Sequence, residues 1–245
     1  RSAGALGVQY IPEQTALEAY IKKNKPCLDN LMIEEWIDGE LYHCDLLMAK
    51  GEVKFFAAGQ YLDTLMHAVQ NRPYMGSELL TEASPYYQQL YQAAVEVNQQ
   101  FKVDNAITHT EFMLKDGQLY FIEIGLRPAG GWVSTLYNKA LGFNIFNNHF
   151  YAFAGCSIDN ICESLPKYAL GFSPLLTKSG VLKAINIPPF SSNILIKVKK
   201  DLVNTYRERT KSAVDALGEV IMMSDNHDEF SLDKACLEKS EMVVI

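Results

Sequence analysis

The chain has 245 residues, 48% of them hydrophobic and 21% charged, enough to bury one large core or two modest ones. Its formal net charge of −7 argues against nucleic acid as the main ligand, since a phosphate backbone demands a basic face. No apolar run approaches the roughly 18 residues of a membrane-spanning helix, so no membrane partner is expected.

The five cysteines (Cys27, Cys44, Cys156, Cys162, Cys236) are scattered and form no CxxC pair. They read as free thiols of a cytoplasmic protein rather than as a disulfide framework or zinc site. The chain lacks an initiator methionine and opens on "RSAGALGV", which reads as a fragment whose upstream residues contribute to the same site.

In chain order, Ser2 to Gly7 form a glycine-rich turn, and Leu17, Tyr20 and Ile21 predict a helix over 13–23, ended by Lys25-Pro26. "LMIEEWIDGE" begins as a strand and turns at Asp38-Gly39, and two strands follow around Lys50-Gly51. Residues 62–81 mix Pro, Gly, Asn and Ser without period and read mostly as loop. Ser84-Pro85 marks a helix start, with an amphipathic run to Phe101. A hairpin "HTEFMLKDGQLYFIEIG" comes next, then a helical stretch over 133–155. After a connector at 166–177 the texture changes to short strands, a helix over 203–217, the strand "GEVIMMSD" and a last helix. The class is α+β, with a division near Pro166.

Glu111 and Glu123 stand in otherwise apolar hairpin strands, where an ionised carboxylate is costly unless compensated. Two that converge repel each other unless a cation lies between them, and a hard divalent ion such as Mg²⁺ (or Mn²⁺) is the natural one. Each glutamate on its own also fits an exposed strand face. Register decides between the two. A plain two-residue turn at Asp116-Gly117 puts Glu111 opposite Ile122 and points the glutamates to opposite faces. Shared binding needs a three-residue loop or a bulge, and of the two the expectation falls on a turn that is not the two-residue kind.

Arg127 follows the second strand, ahead of Pro128 and Gly130-Gly131, and could neutralise a phosphate or an anionic substrate. "SAGALG" offers backbone N–H groups that could wrap a phosphate, although it is neither a Walker loop nor a dinucleotide fingerprint. "MIEEWIDG" could present backbone to a purine edge, with Glu34 or Glu35 receiving the exocyclic amine. His43, in "YHCD", reads as a structural histidine with a neutral option near pH 7.

Taken in order, "SAGALG", "IEEWIDGELYHCD", "HTEF" and "FIEIGLRPAGG" resemble the ATP-grasp superfamily of carboxylate–amine ligases, over residues 1–155. The resemblance implies the remainder of a first ATP-grasp lobe at 1–30, a second lobe with hinge and metal site at 31–165, and a small carboxy-terminal α+β domain at 166–245. Antiparallel sheets packed by helices would build the lobes. It implies ATP as cofactor, with Ser2, Ala3 and Gly4 over the phosphates and Glu34, Glu35, Trp36 and Ile37 at the adenine. Glu111 and Glu123 would hold Mg²⁺ or Mn²⁺, and Arg127 would be catalytic, stabilising the transferring phosphoryl group.

Three departures from the pattern follow. Gly125 stands where the family often has an asparagine, Leu41 replaces the ribose glutamate so that Glu40 or His43 would take that role, and the lysine expected before Arg1 is missing. The implied reaction is activation of a carboxylate, of an amino acid above all, as an acyl phosphate that an amine attacks. Residues 61–77 would be a substrate loop. The implied partners are small carboxylates and amines, and a homodimer is compatible with the sequence. The alternatives are a biotin-carboxylase-like or purine-pathway carboxylating enzyme, and a nucleotide-binding module without catalysis.

Overall fold

A computed structural model describes residues 7–25, 31–156, 158 and 166–245. Its frame is one eight-stranded sheet. The strands are β1 (Glu40–Ala49), β2 (Glu52–Tyr61), β3 (Tyr74–Leu79), β4 (Ala106–Lys115), β5 (Gln118–Gly125), β6 (Tyr168–Pro174), β9 (Asn193–Val198) and β11 (Gly218–Ser224), in the spatial order β5-β4-β1-β2-β3-β6-β11-β9. Every neighbouring pair is antiparallel. Two-stranded ladders join β7 (Gly180–Val181) to β10 (Tyr206–Arg207) and β8 (Ala184–Ile185) to β12 (Val243–Val244). The α+β class and the antiparallel sheet packed by helices are as expected. The sheet runs without interruption past Pro166, because β6 pairs with β3 on one side and β11 on the other.

Alternation along β1 and β4 divides the core. Tyr42, Cys44, Leu46, Met48, Phe112 and Leu114 form one buried cluster with Leu90 and Ala94 of α3 (Tyr87–Gln100). Leu41, Leu47, Ile107 and Met113 point the other way, into a cluster with Trp132, Val133, Leu136 and Tyr137 of α4 (Gly131–Ala140) and Ile145 of α5 (Ile145–Phe153). A third cluster packs α6 (His227–Glu238) on β6 and β11 through Phe230, Leu237, Phe172 and Val220. The amino-terminal helix α1 (Gln14–Lys23) buries none of its residues.

Four local expectations are corrected. The segment expected as loop, and within it the substrate loop, instead holds α2 (Leu65–Asn71) and β3, which sits in mid-sheet with Tyr74 and Met75 buried. Arg209 donates to the carbonyls at the end of α2, to Val69 O at 3.2 Å and to Gln70 O, a cation placed where helix carbonyls lack partners. Ser84 does not cap α3. Its Oγ accepts from Thr81 N at 3.1 Å in the preceding turn, and the helix begins at Tyr87. The helix expected over 203–217 is replaced by β10 and a single 3-10 turn at Ala213–Asp215, since Asn204 adopts a left-handed φ of 66°. Residues 31–38, expected to start as a strand, have no regular structure and are mostly exposed.

Candidate active site

The hairpin settles the question of register in an unexpected way. The turn is the simple two-residue kind, with Lys115 opposite Gln118 and left-handed φ of 51° at Asp116 and 77° at Gly117. The expectation of an odd-length loop is therefore wrong. The other device is present. Phe112 opposes Phe121 while Glu111 opposes Glu123, so Ile122 is an extra residue, a bulge that shifts the register by one. Residues directly opposite each other share a face, and both carboxylates accordingly point to the same side of the sheet.

Their electrostatics differ. Burial works to raise the pKa of Glu111, but hydrogen bonds and charge from His109, with the Tyr61 hydroxyl, outweigh it and hold the carboxyl below its ordinary value. Glu123 is exposed, and its pKa is raised, first by partial desolvation and then by the charge of Glu111. His109 and Arg127 act against that rise, and Glu34 adds to it, so these groups lie within one another's fields. Two opposed carboxylates, one already resisting ionisation, form an all-oxygen donor pair of the kind that suits Mg²⁺ or Mn²⁺. The residues fit such an ion.

Beneath Glu111 lies a buried polar network. Tyr61 OH donates to Glu111 Oε1 at 2.8 Å, and His109 Nε2 lies 3.6 Å from the same oxygen. On its other side His109 Nδ1 stands 3.1 and 3.2 Å from the two oxygens of Asp45. Asp45 also accepts from Tyr137 OH at 2.8 Å and lies 3.3 Å from His43 Nδ1. His43 Nε2 meets Ser77 Oγ at 3.0 Å, and Ser77 accepts the Trp132 indole N–H at 3.0 Å.

Burial disfavours charge on every member, and the network divides the charges among them. It would neutralise His109, but Asp45 and Glu111 on either side prevail and push its pKa up to about 10. Asp45 is held well below the carboxylate range against its burial, mainly by His109. In His43 desolvation wins, the pKa is lowered, and the ring is neutral. The result is an imidazolium between two carboxylates. Gly59 makes room for the neutral His43 ring, because a Cβ there would lie 2.3 Å from His43 Nε2. The cluster of His43, Asp45 and His109 has the atoms of a metal site. With His109 protonated, though, it is an ion-paired network.

The remaining expected residues fall around this point. Arg127 is exposed, donates to Pro128 O at 2.9 Å, and folds over Gly125, where a Cβ would sit 3.3 Å from its Cγ and Nε. A Cβ at position 125 would press on the arginine, which would have to give by a few tenths of an ångström. Glu34, Glu35 and Trp36 are exposed on the irregular segment before β1, with the Trp36 ring 4.8 Å from that of Tyr10, and Ile37 packs onto the core. Glu40 is exposed and accepts from Tyr42 OH at 2.8 Å. His43, suggested for the ribose, is instead wholly buried with both ring nitrogens engaged. Ser2, Ala3 and Gly4 lie outside the described residues.

The sequence reading missed Tyr61, Asp45 and His109. A signal existed: His43 and Asp45 are two apart on β1, and His109 and Glu111 are two apart on β4, so each pair shares a face of an apolar strand. His43 also stands opposite Glu111, and Asp45 opposite His109.

The model of one protein family, described as the ATP-grasp domain, matches residues 8–136, more than half of the chain. The chain belongs to the ATP-grasp family. An L-arginine-specific L-amino acid ligase from Bacillus subtilis is 29% identical over 130 residues, 52% of this chain and 30% of that protein. Among solved structures, the L-amino acid ligase of Bacillus licheniformis superposes with a TM-score of 0.68 at 14% identity, over 97% of this chain and 61% of its own. Phosphoribosylglycinamide synthetase from Anaerococcus prevotii gives 0.66 at 16% identity, over 99% and 63%. The ATP-grasp chain thus spans about a third of the curated relative and under two thirds of these solved chains. Among the described residues, no helix is long and apolar enough to cross a membrane.

Proposed function

We propose that the full protein is an ATP-dependent ligase that activates the carboxylate of an amino acid as an acyl phosphate and passes it to an amine, forming an amide or peptide bond. The observation that carries this reading is the bulge that turns Glu111 and Glu123 to one face, with Arg127 beside them. Membership of the ATP-grasp family and the likeness to an L-amino acid ligase support the substrate class.

In this reading Glu111 and Glu123 hold Mg²⁺ or Mn²⁺. The ion, when bound, neutralises phosphate charge and aligns the phosphates for in-line transfer. The segment from Glu34 to Ile37 meets the adenine, Glu40 takes the ribose, and Ser2, Ala3 and Gly4 cover the phosphates. Arg127 lies over Gly125 and can extend to the phosphoryl group that a substrate carboxylate oxygen attacks as ADP leaves. The amine then attacks the acyl carbon, phosphate departs, and the nitrogen gives up its proton. His43, whose nitrogens are occupied, holds the sheet beneath the site.

The test is phosphate release by the full-length protein with ATP, Mg²⁺ and a panel of amino acids given singly and in pairs. Release that requires both an amino acid and an amine supports the ligase. Release that depends on bicarbonate would move the protein to the carboxylating ATP-grasp enzymes. ATP binding without amine-dependent release would make it a nucleotide-binding module.

A further inference from the structure

We propose that Tyr61 and His109 are positioning residues for the cation site: they hold Glu111 by one oxygen, Oε1, and so assign the other, Oε2, to the cation. The inference rests on the reading of Glu111 as a cation ligand. Its geometry is independent of that reading. Tyr61 OH donates to Oε1 at 2.8 Å and His109 Nε2 stands 3.6 Å from it, while Oε2 has no hydrogen bond to protein among the described residues.

Neither partner is free to swing away. The Tyr61 ring is 7% exposed and packs edge-on against His43 at 5.0 Å and Trp132 at 6.4 Å. His109 is gripped by Asp45, which Tyr137 OH fixes in turn at 2.8 Å. Glu111 therefore presents one oxygen in one orientation. A small ion that demands near-octahedral geometry gains from a ligand that is already aimed. Glu123, exposed and without such a cradle, is the adaptable member of the pair. The two carboxylates are not equivalent: Glu111 sets where the cation sits, and Glu123 follows.

Tyr61→Phe tests this with little risk to folding, since only the hydroxyl is lost. Mn²⁺ is titrated into the full-length protein with a non-hydrolysable ATP analogue and followed by electron paramagnetic resonance. The expected result is Mn²⁺ affinity weakened by about 10-fold. Affinity for the analogue without metal should be unchanged. In turnover assays the apparent KM for Mn²⁺ should rise, with kcat recovered at saturating metal. A Tyr61→Phe protein that binds Mn²⁺ as tightly as wild type overturns the inference. Glu111→Gln separates the two levels of the argument. If it abolishes Mn²⁺ binding while Tyr61→Phe has no effect, only the positioning role fails. If Glu111→Gln also binds normally, the site assignment itself fails.

Discussion

The two faces of β1 and β4 are made by the same residues in alternation and do different work. Toward α3 the strands show Cys44, Leu46, Met48, Phe112 and Leu114, a mainly apolar face packed with Leu90 and Ala94, in which Thr108 Oγ1 donates to Asn98 Oδ1 at 2.9 Å. Toward α4 the same strands show His43, Asp45, His109 and Glu111, an ionic network with almost no access to water. The first face stabilises the sheet by burying surface, and its members are interchangeable within limits of volume. The second stabilises only as a whole, because any one charge left alone in the interior is expensive. One strand pair thus carries apolar packing on one side, and on the other an ionic network beneath the proposed cation site.

Asp45→Ala should break the contrast most sharply. It leaves the His109 imidazolium beside Glu111 without its main partner and should cost about 3–5 kcal/mol of stability in urea unfolding, together with activity. Glu111→Gln comes next. Turnover should fall by about 10²–10³-fold with the far-ultraviolet circular dichroism retained, and wild-type turnover would detach the hairpin from the chemistry. On the apolar face, Leu90→Ala should cost about 3 kcal/mol in the same unfolding experiment, yet leave kcat unchanged wherever the protein is folded.

A further test concerns pH. The folded pKa of His109, about 10, lies above its ordinary 6.5, so its stabilising contribution is whole below pH 6.5 and is lost as pH rises through 10. Asp45 is depressed below 3.8, so its contribution is whole above that value and lost as pH falls through the folded pKa. Wild-type Tm should therefore decline between pH 6.5 and 10 more steeply than that of a His109→Gln variant. Parallel declines would remove the imidazolium from the account.

Much of this was legible in sequence. The β1–β2 and β4–β5 hairpins announce themselves by their turns at Lys50-Gly51 and Asp116-Gly117, and a last helix is expected where α6 stands. What failed was decided by tertiary contact. The strand β3 carries Gly76, which reads as a loop residue, but a Cβ there would meet Gly171 O at 2.6 Å across the β3–β6 pair. Over 203–217 a helix is expected, but Asn204 takes a positive φ and Tyr206 and Arg207 pair with β7 instead.

At the site, acids and arginine could be picked out as costly residues in costly places, and the alternatives for hairpin register could be written down. Which alternative held could not, since an Ile122 bulge has no signature of its own in a run of strand formers. Nor could the union of Tyr61, Asp45 and His109, which come from three strands and meet only when the sheet is assembled.

The central claim is that Glu111 and Glu123 face one cation at the phosphate end of an ATP cleft. A crystal structure of the full-length protein with Mn²⁺ and a non-hydrolysable ATP analogue, read by its anomalous difference density, tests it most directly. The account predicts a manganese peak within coordination distance of Glu111 Oε2 and of a Glu123 oxygen, with the analogue's phosphates on its far side. A nucleotide bound with its metal elsewhere, and Glu111 still wholly engaged with Tyr61 and His109, would contradict it.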